Sequence, residues 1–198
     1  MNQIAQRLLP HMTADDFLAL PTDPYGRKQQ LIDGEVHTLS PASHTHAAIQ
    51  ANVAYLLVSA ITAFGSELQV LTEGAVIPGM TASTNVRVPD LVVTATLDER
   101  GQQVVPDPVL MVEVLSPGNM DETRNNIRAY ATLPSVQELV VIHSTRMLVE
   151  VHRRDAKGTW LPDPEYAGPG DRLRLPSVSL DCAVEAVYRT TWLARRLK

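Results

Sequence analysis

The chain has 198 residues, 44% of them hydrophobic and 20% charged, with a formal net charge of −5. That length can carry one good core, and the composition is that of a globular chain rather than a disordered one. The acid excess counts against a protein that grips nucleic acid chiefly by neutralising phosphates, and the single cysteine, Cys182, excludes an intrachain disulfide and a cysteine-rich zinc site.

The opening residues, MNQIAQRLLPHM, lack a basic segment followed by a long apolar stretch, so no secretory signal is expected. No apolar run is expected to reach the roughly 20 residues that cross a bilayer, and one cysteine suits a reducing cytoplasm. Thr13-Ala-Asp-Asp16 reads as a helix start, with Thr13 as N-cap, Asp16 three residues on, and Phe17, Leu18 and Leu20 as a short apolar face before Pro21. Gln29 to Asp33 and Glu35 to Leu39 read as two strands joined by an Asp33-Gly34 hairpin turn.

Ser43 to Phe64 is the longest predicted helix. Ile49, Val53, Leu56, Leu57, Ala60, Ile61 and Phe64 form its buried stripe, and Gly65 ends it. Strands are expected near Leu68–Leu71 and Ala75–Pro78, then a loop of small and polar residues from Gly79 to Asn85. Val88 to Ala95 and Val109 to Leu115 are continuously apolar, as strands covered on both faces are, with a polar loop from Asp98 to Pro108 between them.

Asn119 to Leu133 reads as a second amphipathic helix with Ile127, Tyr130 and Ala131 on one side. Leu139–His143 and Leu148–Arg153 read as a strand pair. A Pro/Gly-rich loop, a strand at Arg172–Leu175 and a terminal helix over Val184–Trp192 complete the order. The expected fold is an α/β or α+β sandwich with a central mixed sheet flanked by helices, one domain over residues 1–198. The basic clusters Arg153-Arg154 and Arg195-Arg196-Leu197-Lys198 read as solvated surface charge.

Two acids stand out. Asp90 opens one buried-type strand, in Val88-Pro-Asp-Leu-Val-Val93, and Glu113 lies inside the other, in Met111-Val-Glu-Val-Leu115. A carboxylate in such company is costly unless paired, hydrogen-bonded or bound to a cation. If the strands are neighbours in suitable register, both acids emerge at one edge, where two hard oxygen ligands suit Mg²⁺ or Mn²⁺. Taken singly, Asp90 reads as a turn acid after Pro89 and Glu113 as a salt-bridged or edge-exposed glutamate; as a pair they favour a metal site.

The succession Leu-Ile-Asp-Gly-Glu (31–35), Leu-Ser-Pro (39–41), His46 opening a long helix, Val-Arg-Val-Pro-Asp-Leu-Val-Val (86–93) and Val-Glu-Val-Leu-Ser-Pro (112–117) resembles the Uma2 family. That family belongs to the PD-(D/E)XK restriction-endonuclease-like superfamily. Tyr130-Ala-Thr-Leu-Pro-Ser-Val-Gln-Glu-Leu-Val-Val141 is similar to its helix-to-strand passage, so the resemblance covers Thr13 to Arg153 and extends toward the whole chain. It implies a central mixed sheet with a metal site at its edge. It also implies that Asp90 and Glu113 coordinate the ion, with the Val114 carbonyl completing the site, and that Glu35, His46 and Tyr130 are candidates for the layer around them.

One departure bears on activity. The lysine position of the E-x-K motif is Leu115, and the compensating lysine that Uma2-like sequences carry on the following helix falls on Asn126. Asparagine hydrogen-bonds but carries no charge. Arg124 and Arg128, two positions either side, point about 200° away on an ideal helix. Loss of one such electrostatic group commonly costs on the order of a hundredfold in rate.

Other candidates are weaker. His44 and His46, two apart on a helix, do not face each other. Ser116 has no G-x-S-x-G surround and reads as a turn residue beside Pro117. Trp160 and Trp192 read as packing or interface residues. The leading expectation is a Mg²⁺- or Mn²⁺-dependent phosphodiesterase acting on DNA, with Asp90, Glu113 and Asn126 as its catalytic residues. The alternatives are a nuclease-fold binding or scaffold protein without catalysis and a homodimer or higher homo-oligomer using the C-terminal helix; oligomerisation is compatible with either of the others.

Overall fold

The structure is a computed structural model that describes residues 11–21, 23–79, 82–96 and 101–197, with no side-chain description beyond residue 195. The first ten residues of the segment read for a secretory signal, parts of the two predicted loops and the end of the basic tail therefore lie outside the described residues.

Local signals place the first elements. Helix α1 (Ala14–Leu18) starts at a capping box: Thr13 Oγ1 accepts from the Asp16 amide at 3.1 Å, and Asp16 reaches back to the Thr13 amide. Strands β1 (Gln29–Ile32) and β2 (Glu35–Thr38) pair antiparallel around Asp33-Gly34, both of positive φ as a two-residue turn of this kind requires. Helix α2 (His44–Ala63) is capped by Ser43, and Gly65 turns left-handed just past its end.

A six-stranded sheet has the order β3 (Gln69–Thr72), β4 (Leu91–Thr94), β5 (Pro108–Leu115), β6 (Glu138–His143), β7 (Val149–Arg153), β8 (Glu165–Ala167). Only β5 and β6 run parallel; the chain crosses between them through α3 (Met120–Tyr130). Strands β9 (Arg172–Leu175) and β10 (Leu180–Ala183) form a separate antiparallel pair leading into α4 (Val184–Val187). The mixed α+β fold expected from the sequence is the fold observed.

Two apolar layers explain the unbroken hydrophobic strands. On one face Leu91, Val93, Leu110, Val112 and Val114 pack with Ile49, Val53, Leu57 and Ile61 of α2 and with the C-terminal elements. On the other, Val92, Met111, Leu115, Leu139 and Val141 pack with Ile127 and Tyr130 of α3. Alternate residues therefore face opposite layers, and both faces of the sheet are covered.

Several expectations need correction. Phe64 is 72% exposed and lies outside the buried stripe, because α2 ends there and the chain turns away at Gly65. By length and composition α2 is apolar enough to cross a membrane, at 20 residues with a mean hydropathy of 1.3, contrary to expectation. Here Ile49, Val53, Leu57 and Ile61 cover the sheet while Tyr55 and Val58 are exposed, and the buried Asn52 donates to the Val187 carbonyl.

The predicted strand over Ala75–Pro78 is reduced to single bridges, Ala75 with Val104 and Val76 with Arg87. Helix α4 stops at Val187 rather than Trp192. The Thr191 hydroxyl donates to the Tyr188 carbonyl at 2.7 Å, a side-chain bond that competes with helical continuation. Strands β8 and β10 had no apolar alternation to reveal them.

The Arg153-Arg154 pair is not solvated surface charge. Arg153 is paired with Glu138 and Glu165. Arg154 donates to the carbonyls of Ala131, Leu133, Val136 and Gly158 and lies 4.5 Å from the centre of the Trp160 ring, tying the end of α3 to β7. Trp160 adds a bond to the Ala131 carbonyl at 2.9 Å. Arg154→Ala should therefore lower unfolding free energy by about 3 kcal/mol in urea denaturation, since hydrogen bonds to a charged donor are worth about 1.5–3 kcal/mol.

Candidate active site

The register of β4 and β5 brings the two acids together. Leu91 faces Val112, so one further step places Asp90 opposite Glu113. Glu113 follows the alternation of Met111 and Leu115, which sends its side chain toward α3. Asp90 sits just before β4, where Pro89 lacks the N–H that would continue the ladder. Both acids are buried yet line a cleft of about 640 Å³ whose walls come from the β1 approach, the start of α2 and the start of α3.

Asp90 is held on both oxygens. Oδ2 accepts from the Val114 amide at 2.7 Å. Oδ1 accepts from Lys28 Nζ at 2.9 Å and lies 3.2 Å from His46 Nε2. Its carbonyl accepts from Gln50 Nε2 at 2.9 Å. Burial would push this carboxyl up; the His46 hydrogen bond, the Lys28 charge and the Val114 amide together hold it down at about 2.

Glu113 behaves oppositely. Its Oε1 accepts from Tyr130 Oη at 2.7 Å and from Asn126 Nδ2 at 3.0 Å. Burial first, and the Asp90 charge second, push it up to about 8, against the partial relief from Lys28, Tyr130 and Asn126. The Tyr130 hydroxyl is itself raised, chiefly by burial and then by Glu113. Burial alone would lower Lys28, but the charges of Asp90 and Glu113 hold its ammonium above its usual range.

Each residue singled out in the sequence now has a place. Asp90 with His46 and Glu113 with Asn126 and Tyr130 form two bonded clusters that meet where β4 and β5 set the two acids opposite each other. Asn126 spends its amide on Glu113 and leaves Oδ1 buried without a partner among the described residues. Val114 meets the site through its N–H, while its carbonyl accepts from Asn119 Nδ2 at 3.2 Å. Glu35 is exposed on β2 and does not line the cleft. Arg124 grips Glu150 at 2.5 and 2.7 Å, and Arg128 turns to Asn125, so neither enters the cleft.

His44 is exposed, apart from His46. Ser116 lies in the turn before α3, its amide donating to Asn119 Oδ1 and its hydroxyl 3.0 Å from that of Ser144. Lys28 was not anticipated at all. It lies 62 positions before Asp90, and no local pattern marks it.

The donor set suits a hard divalent ion, which typically rests on one or two carboxylates and keeps several waters. Among the described residues no group of three His, Cys, Asp or Glu side chains is placed to hold a metal. Asp90 and Glu113 would therefore carry it with water. The opposition of two buried acids fits such an ion: one lysine, bonded to Asp90, stands beside two carboxyls, and a further positive charge would balance them.

Comparison with known proteins places the chain in a family and a fold. Residues 14–185 match the profile of Uma2, described as "Putative restriction endonuclease". A protein of Synechocystis sp. (strain ATCC 27184 / PCC 6803 / Kazusa), described as "Uncharacterized protein slr1290", is 28% identical over 164 residues, 82% of this chain and 84% of that one. The fold is similar to the crystal structure of "a putative nuclease belonging to DUF820" from Anabaena variabilis ATCC 29413. The TM-score there is 0.70 at 19% identity, covering 90% of this chain and 98% of that one.

Proposed function

This chain belongs to the Uma2 family, and from that premise we propose that it is a metal-dependent endonuclease hydrolysing phosphodiester bonds in DNA, with Asp90 and Glu113 holding Mg²⁺ or Mn²⁺. The observation that carries this reading is the opposition of two buried acids across β4 and β5 at the wall of an open cleft. The family description and the nuclease-like fold support the reaction class; the site supports the residues.

The chemistry such an ion supplies is a lowered water pKa and neutralised charge at a scissile phosphate. The protein's own part is orientation. The Val114 amide, Lys28 and His46 fix the Asp90 carboxylate. Tyr130 and Asn126 fix Glu113 on one oxygen, leaving Oε2 without a hydrogen bond among the described residues. The unpartnered Asn126 Oδ1 is an acceptor for a water's hydrogen, a positioning role that needs no charge.

A second reading is a nuclease fold without catalysis. It is favoured by Lys28, which already supplies a positive charge to Asp90. Incubation with supercoiled plasmid separates the two. Wild type is expected to nick it with Mg²⁺ or Mn²⁺ and not with EDTA, and Asp90→Ala and Glu113→Ala are each expected to lose on the order of a hundredfold or more. Equal nicking by all three proteins would remove these acids from the reaction, and no nicking by wild type would favour the second reading.

A further inference from the structure

We propose that Lys28 is the phosphate-binding cation of the cleft, acting with the N-terminus of α2 as a subsite for one backbone phosphate of the nucleic acid; this rests on the nuclease reading above. Neither Leu115, packed in the apolar layer, nor Asn126 brings charge to this place. Lys28 does so from a different segment, the extended chain before β1.

The alternation of that segment aims it inward. Arg27 has a side chain 44% exposed, is tied to Asp23 at 2.9 Å and lies 5.2 Å from the centre of the Tyr25 ring. Lys28, its neighbour, is 15% exposed and enters the cleft wall. An ammonium has three donors. Among the described residues only Asp90 Oδ1 accepts from this one, so two remain for a ligand.

The start of α2 lies on the same cleft: Pro41, Ala42, Ser43 and His46 line it. This helix is 20 residues long and has no acidic residue in its first turn. Ser43 Oγ accepts from the His46 amide, and among the described residues no side chain bonds the other first-turn N–H groups at the positive end of the helix. A phosphate diester answers both features: it is anionic, and it offers oxygens to several donors at once.

A mere counter-ion to Asp90 would show no dependence on DNA phosphate. The test uses a fluorescein-labelled duplex with phosphorothioate linkages, which resist hydrolysis, titrated by anisotropy across a salt series. Lys28→Met should bind it on the order of tenfold more weakly, as loss of one charge-assisted bond predicts. The slope of log K against log salt should fall by about 0.9, the value of one lost contact with a duplex phosphate. Lys28→Arg should keep the slope.

Manganese affinity without DNA, read by calorimetry, should be unchanged or tighter in Lys28→Met, because the Asp90 oxygen is freed. An unchanged slope in Lys28→Met, equal losses in Lys28→Arg, loss of manganese binding with the lysine, or no measurable duplex binding by wild type would each overturn the proposal. Plasmid nicking by wild type with an unchanged slope ends the Lys28 subsite alone. An inert wild type whose slope still depends on Lys28 ends the nuclease reading alone.

Discussion

Glu113→Gln is expected to bind no manganese and yet to melt at a higher temperature than wild type above pH 8 in EDTA. The carboxyl moves from its ordinary value of 4.5 up to about 8, first through burial and then through the charge of Asp90. A carboxyl raised on folding contributes stability that is complete below about pH 4.5 and lost as pH rises through 8. Metal-free wild type should therefore lose stability across that window, where burial of a second anion beside Asp90 is being forced. Glutamine has no proton to lose. It keeps the shape of the side chain and an oxygen for Tyr130 and Asn126, so its melting temperature should be flat there.

Manganese binding supplies the other half. Below pH 8 an ion must displace the Glu113 proton, so wild-type affinity should climb about tenfold per pH unit and level off above that pH. Calorimetry at pH 6, 7 and 8 reads the climb; scanning melts from pH 5 to 9 read the stability. A wild-type melting temperature independent of pH, or full manganese affinity in the glutamine variant, would contradict the assignment of Glu113.

Asp90→Ala should be the most destabilising single change in the site. It leaves the Lys28 ammonium without its hydrogen-bonded counter-charge, half-orphans His46, and strips the Val114 amide of its acceptor. Removing one partner of a buried ion pair costs about 3–5 kcal/mol. Asp90→Asn keeps an oxygen for Val114 and should lose roughly half as much, since the unmade hydrogen bond of a buried amide accounts for about 1–3 kcal/mol.

The acid limb of the pH profile should differ as well. The Asp90 carboxyl lies at about 2, so its stabilisation is full above its ordinary 3.8 and fades as pH falls through 2. That limb should be missing from the asparagine variant, and its sign is opposite to that of Glu113. Urea unfolding at pH 7 and pH 3 measures both. An alanine variant within 1 kcal/mol of wild type would mean that the Lys28 pair contributes little.

Local chemistry made much of the fold legible. Thr13 with Asp16, Asp33 with Gly34, and Ser43 with Gly65 mark their elements because caps and turns are decided by a few adjacent residues. The unbroken apolar runs of β4 and β5 read correctly as strands covered on both faces. Short elements with no burial pattern of their own, such as β8, escaped for the converse reason: edge pairing stabilises them, and their side chains record nothing of it.

For the site, the apolar strands marked Asp90 and Glu113, since two acids there are costly without a purpose, and the resemblance to Uma2 added His46, Asn126 and Tyr130 as candidates. What neutralises the pair was beyond any local reading. Lys28 looks like an ordinary lysine after Arg27, Arg154 like one of two surface arginines, and Glu35 like a candidate neighbour of the acids. Folding buries the first beside Asp90, closes the second over four carbonyls, and leaves the third in solvent. Charge compensation acts through space, and which segments meet across 62 residues depends on how the β1 approach, α2 and β4 pack, which is a property of the assembled layers.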